Sequence, residues 1–167
     1  MEDVTPRAAD LLLASHAPVE TERLGWRLAG GLRPGMIVLL RGEIGAGKTV
    51  LTRGIARGLG VVRRVTSPTY TFIAEYPEAD PPLFHMDLYR LLDAGESVVD
   101  LGFDDYLERG GVVVVEWPAA AAARLPADRL EIILEHVGEA ERQLSFRSFG
   151  DSAETALQRL SPAAESP

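Results

Sequence analysis

The apolar run Met36-Ile-Val-Leu-Leu40 leads into Gly42-Glu-Ile-Gly-Ala-Gly-Lys-Thr49, and this junction restricts the possible folds more than any other part of the chain. A continuous apolar run bounded by turn residues is the pattern of a strand buried on both faces of a parallel sheet. Beyond the glycines, Leu51, Ile55 and Leu59 recur at helical spacing from Lys48 until Gly60 closes the stripe. Strand, glycine loop and helix, in that order, are the setting in which G-x-x-x-x-G-K-T acts as a phosphate loop. The glycines turn backbone amides inward as an anion nest and the helix adds its positive N-terminal end. The lysine neutralises β and γ oxygens, and the hydroxyl after it ligates Mg²⁺. The alternative is a glycine-rich strand-to-helix turn with no ligand.

The other segments fit an α/β fold, a P-loop NTPase-like mixed sheet with parallel core strands flanked by helices and by antiparallel strands and hairpins. Asp10 to Ala14 predicts a short strand, and Pro18 to Leu28 a helix entered through proline with acidic residues in its first turn. Tyr70 to Tyr76 and Leu83 to Leu88, separated by Pro77, Pro81 and Pro82, predict a hairpin or adjacent strands. Short surface helices are expected over Asp93 to Arg109. Val112 to Val115 predicts a second buried central strand, and Leu130 to Glu135 with Gln143 to Phe149 a further hairpin around Gly138. Asp151 with Glu154 has the form of a helix N-cap, and Leu157 and Leu160 continue that helix. A length of 167 residues predicts one domain over residues 1–160, with 161–167 a frayed tail.

Charge narrows the function. A net charge of −8 argues against a surface that grips nucleic acid itself, because neutralising phosphates needs clustered Lys and Arg. Lys48 is the only lysine in the chain, at the position where a compact ammonium suits a phosphate loop better than a planar fork. There is no cysteine, no signal-like opening segment and no apolar run near the roughly 20 residues of a membrane span, so a cytoplasmic protein without a membrane partner is expected.

A phosphate loop also needs a carboxylate at the end of a neighbouring strand. Glu116 ends the Val112 to Val115 run, and Asp87 lies in Phe84-His-Met-Asp-Leu-Tyr-Arg90, where His85 and Asp87 share a face if the segment is a strand. The alternatives are a solvated strand-end charge for Glu116 and a turn or cap residue for Asp87. Thr66-Ser-Pro-Thr-Tyr-Thr71 clusters hydroxyls as γ-phosphate-sensing switches do, or is a polar turn held open by Pro68. His16 and His136 have no partner pattern, and no C-x-x-C, H-E-x-x-H or G-x-S-x-G is present.

Four blocks, Gly42 to Thr49, Ser67-Pro-Thr-Tyr70, His85-Met-Asp-Leu-Tyr-Arg90 and Val115-Glu-Trp-Pro118, together resemble the TsaE family, also called YjeE. These are P-loop ATPases that serve bacterial synthesis of N6-threonylcarbamoyladenosine on transfer RNA. The resemblance spans most of the chain between Thr21 and Arg142. It implies that Gly45, Ala46, Gly47, Lys48, Thr49 and Val50 surround the phosphates of ATP. It also makes Thr49 and Glu116 the Mg²⁺ ligands. The first switch then lies around Ser67, Thr69 and Tyr70, and the second holds Asp87, Tyr89 and Arg90, with Asp87 orienting the attacking water. Trp117 is placed beside the site, and Thr21 and Arg142 match nucleotide contacts. Glu43 departs from the aspartate common in the family, a change outside the phosphate cradle, and the first strand and last helix match in pattern only.

The resemblance implies an ATPase that acts on a TsaD–TsaB complex, with transfer RNA engaged only indirectly and turnover slow without partners. The alternatives are a small-molecule or nucleoside kinase and a nucleotide-binding module without hydrolysis. Against the kinase, no Arg-rich lid-like insertion follows the central strands. A GTPase is disfavoured because the chain contains no asparagine for a guanine-reading N-K-x-D motif.

Overall fold

Ile37 and Leu39 point to one side of their strand and Val38 and Leu40 to the other, and all four are fully buried. Such a strand must lie inside a sheet covered on both faces. The computed structural model describes residues 8–161. Its elements follow the chain as β1 (Leu11–Ser15), α1 (Pro18–Ala29), β2 (Ile37–Arg41), α2 (Lys48–Gly58), β3 (Ile73–Tyr76), β4 (Leu83–Asp87), α3 (Leu91–Ala94), α4 (Phe103–Glu108), β5 (Val112–Glu116), a 3₁₀ helix (Pro118–Arg124), β6 (Arg129–His136), β7 (Arg142–Phe149) and α5 (Asp151–Gln158). The strands form one seven-stranded sheet in the order β1-β7-β6-β2-β5-β4-β3. The four inner strands β6, β2, β5 and β4 run parallel, while β7 and β3 pair antiparallel at their margins and β1 antiparallel to β7. This is the expected mixed sheet with a parallel core.

One face packs Val38, Leu40, Val112 and Val114 against α1, α2 and α5 through Leu28, Leu51, Ile55, Ala153 and Ala156. The other packs Ile37, Leu39, Val113 and Val115 against Leu91 of α3, Phe103 of α4 and Ala121 of the 3₁₀ helix. The helix pair α1/α2 is unusually close. A Cβ at Gly54 would overlap the Glu22 carbonyl oxygen, and one at Gly25 would overlap that of Leu51. Gly58 is similarly filled, its Cβ position lying 2.8 Å from the Trp26 carbonyl oxygen. Missing side chains on both helices let the backbones approach and set where α2, and so the loop before it, rests on the sheet.

Two expectations change in detail. The strand predicted over Tyr70 to Tyr76 begins only at Ile73, because Phe72 adopts a left-handed backbone (φ 63°) that cannot continue a ladder. Asp151 is the first residue of α5 rather than its cap. Gly150 holds the N-cap position, and Asp128 supplies the side chain, accepting from the Ser152 and Ala153 amides at 3.2 Å each. Of the tail expected from residue 161, only Ser161 is described, and residues 1–7 and 162–167 lie outside the described residues. Among the described residues no helix is long and apolar enough to cross a membrane.

Candidate functional site

Parallel strands present their carboxyl ends on one edge of a sheet, where ligands of open α/β folds bind. Here the register is direct: Leu40 of β2 pairs with Glu116 of β5, and Glu116 pairs with Asp87 of β4. The glycine loop leaves β2 one residue later. Gly47, at the N-cap of α2, has φ +105°, a conformation that turns the loop into the helix and that a residue with a Cβ resists. The result is a cleft of about 400 Å³ lined by Gly45, Gly47, Lys48, Thr49, Val50, Ser67, Thr69, Asp87, Tyr89, Glu116 and Trp117, with Ile44 at its rim.

Thr49 Oγ1 donates to Glu116 Oε1 at 3.0 Å, so the two residues predicted to share a metal touch one another. The same oxygen is 2.8 Å from Nε2 of His85, a histidine with no exposed surface. Asp87 is engaged at both oxygens. Its Oδ2 accepts from Ser67 Oγ at 2.5 Å and Thr69 Oγ1 at 3.0 Å, and its Oδ1 from the Tyr89 amide at 3.0 Å. The two predicted switch segments are therefore joined through one carboxylate.

Lys48 is nearly buried and folds back on its own loop, donating to the carbonyls of Gly42 (2.5 Å) and Glu43 (2.9 Å), with Nζ 4.1 Å from the centre of the Trp117 ring. Burial lowers its pKa below the ordinary lysine value, and the charges of Glu116 and Asp87 only partly oppose this. Trp117 reaches this position because its own backbone is left-handed (φ 57°), a strained turn directly after Glu116. Its ring also meets Tyr89, with centroids 4.8 Å apart.

Next to the cleft lies a cavity of about 270 Å³ lined by Ala17, Pro18, Thr21, Gly45, Ala46, Gly47, Val50, Glu139, Ala140 and Arg142. Thr21 and Arg142, distant in sequence, thus line one cavity, which shares Gly45, Gly47 and Val50 with the cleft. Ser15 Oγ donates to the Ala17 carbonyl at 2.9 Å, so its 2.7 Å contact with Thr21 Oγ1 has Thr21 as donor. Arg142 is held by the Glu141 carbonyl at 3.0 Å. Tyr70 and Arg90 stand apart from both cavities: Tyr70 is 82% exposed, and the Arg90 guanidinium lies 5.2 Å from its ring centre.

His85, in contact with Glu116, carries no motif that marks it in the sequence as a residue of the site. Its signal was present in the alternation that puts it on the face of Asp87, but recognising it needed the pairing of β4 with β5. The predicted Thr49 and Glu116 form a hard donor pair, one neutral and one anionic oxygen. Among the described residues no group of three or more His, Cys, Asp or Glu could hold a metal. A two-oxygen site of this kind suits Mg²⁺, which keeps several waters and takes further oxygens from phosphates.

The model of the family described as "Threonylcarbamoyl adenosine biosynthesis protein TsaE" matches residues 15–144. The chain is 42% identical over 144 residues to the tRNA threonylcarbamoyladenosine biosynthesis protein TsaE of Bacillus subtilis (strain 168), covering 86% of this chain and 89% of that protein. It is 42% identical over 133 residues to the protein of the same name from Streptomyces coelicolor, covering 78% and 82% respectively. Its fold matches the crystal structure of Bacillus subtilis YdiB with a TM-score of 0.80 and 35% identity, covering 93% of this chain and 96% of that one. With the family model spanning the glycine loop, both predicted switch segments and Glu116, the chain belongs to the TsaE family.

Proposed function

We propose that this protein binds ATP with Mg²⁺ across the two adjoining cavities and hydrolyses it as a conformational switch in the synthesis of threonylcarbamoyladenosine at adenosine 37 of transfer RNA. Its partner is a TsaD–TsaB complex, as the family resemblance implies. The observation that carries the reading is Glu116 and Asp87 side by side at the carboxyl ends of parallel strands, with Thr49 at the start of α2 donating to Glu116 and all three facing one cleft beside Lys48. Amides of Gly45 to Val50 and the start of α2 would cradle phosphates, and Thr21 and Arg142 would bound the nucleoside end. Mg²⁺ held by Thr49 and Glu116 would supply charge neutralisation at the phosphate oxygens.

Lys48 has to leave the Gly42 and Glu43 carbonyls to meet a phosphate, and that exchange also frees the Trp117 ring. Two of the three hydrogen bonds to Asp87 come from Ser67 and Thr69, so a movement of the first switch at an occupied γ position would change how Asp87 orients a water. Lys48 is the only cation among the described residues lining this cleft, which leaves transition-state charge without an arginine finger and turnover slow for the isolated chain.

Phosphate release from ATP, measured for the protein alone and with the TsaD–TsaB pair, tests this reading. The expected result is slow release alone, stimulation by the pair and association that depends on ATP. No stimulation together with no ATP-dependent association overturns it, and a phosphorylated nucleoside or metabolite would instead favour a kinase.

A further inference from the structure

We propose that His85 is a positioning residue that holds Glu116 in the orientation needed for the metal; this rests on the reading of Thr49 and Glu116 as the Mg²⁺ pair. Glu116 Oε1 accepts two hydrogen bonds, from Thr49 Oγ1 and from His85 Nε2. A carboxylate oxygen only accepts, so the imidazole hydrogen of this contact sits on Nε2. The other nitrogen, Nδ1, is buried without a hydrogen-bond partner. The residues opposite His85 in the sheet, Ala74 on β3 and Val114 on β5, offer no polar side chain.

An unpartnered buried nitrogen costs folding free energy, and an apolar residue of similar size would avoid that cost. What the imidazole adds is the single donor to Glu116. A cation takes a lone pair of the Thr49 hydroxyl while the hydroxyl hydrogen still reaches Glu116, so His85 supplies the second of the two bonds that fix the carboxylate, from a residue outside the metal pair. Outer hydrogen bonds of this type commonly change metal affinity by about 10–100-fold.

The test measures ADP affinity by calorimetry, with Mg²⁺ and with EDTA, for the wild type, His85→Gln and His85→Asn, with a thermal melt of each. Glutamine can place an N–H where Nε2 lies, whereas the shorter asparagine places one nearer Nδ1. His85→Gln is expected to keep the Mg²⁺-dependent gain in affinity. His85→Asn is expected to lose about 10–100-fold of it while its affinity in EDTA stays at the wild-type value. Equal loss with and without Mg²⁺ for the asparagine variant, an undiminished gain in it, or loss of the gain in folded His85→Gln each overturn the proposal. A wild type that binds no ADP, or binds it without a Mg²⁺ gain, overturns the reading of the site and this inference with it. A normal wild type with unaffected variants overturns the inference alone.

Discussion

At the scale of single residues the molecule holds its one lysine in an unfavourable place. Lys48 is desolvated, and its pKa lies below that of an unfolded lysine. Between those two values the unfolded chain binds more protons than the folded one, so this group makes stability rise with pH across that window, whose upper end is the ordinary lysine value. Lys48→Met should remove that slope in a comparison of urea stability with the wild type, and at neutral pH the nucleotide-free variant should be no less stable. Its ATP affinity should fall by about 100-fold, as expected for loss of a charge-assisted contact to phosphate. Retained affinity by calorimetry would count against the loop as the binding site. The position of Lys48 at the start of the helix after the glycine loop was legible because loop, lysine and helix are contiguous, but its folding back under Trp117 was not. That contact depends on a left-handed turn at the end of another strand, and periodicity carries no information about such a turn.

At the scale of elements, the placement of the phosphate loop depends on how closely α1 and α2 approach. Gly54→Ala should raise the intrinsic helix preference of α2 by about 1 kcal/mol. The added methyl overlaps the Glu22 carbonyl, however, and overpacking of this kind costs about 1–3 kcal/mol or more, so net destabilisation is expected in denaturant unfolding. Unchanged or greater stability would show that the helices part without cost. The helices themselves were readable, α2 from the spacing of Leu51, Ile55 and Leu59 and α1 from its proline entry and acidic first turn. Their closeness was not, since a glycine inside a helix looks only like a weak helix former until its neighbour is known. The cap of α5 failed for a related reason: Asp151 satisfied the local pattern, yet Asp128, placed by the turn before β6, reaches the amides first.

At the scale of the whole molecule, Asp87 joins β4, the Ser67–Thr69 segment and the Tyr89 backbone, and Tyr89 in turn meets Trp117 beside Lys48. Under the proposed function, this continuous path would link nucleotide occupancy to the surface formed by the two predicted switch segments. Asp87→Asn keeps the shape but weakens the charge-assisted bonds from both hydroxyls. It is expected to leave ATP affinity within about threefold while partner-stimulated phosphate release falls about 100-fold, the size of effect typical when a positioned carboxylate is lost. Equal rates for variant and wild type in the presence of partners would favour a binding module without hydrolysis.

By itself the sequence determined the buried central strand, the phosphate loop and helix that follow it, and the identity of Thr49, Glu116 and Asp87 as candidates. Each of these depends on short contiguous patterns whose physics is local. Only the tertiary structure decided that Asp87 and Glu116 stand side by side, that His85 Nε2 meets Glu116, and that Thr21 and Arg142 border one cavity. Those relations follow from strand order and parallel register, which are fixed by burial across the whole sheet and not by any one segment of it.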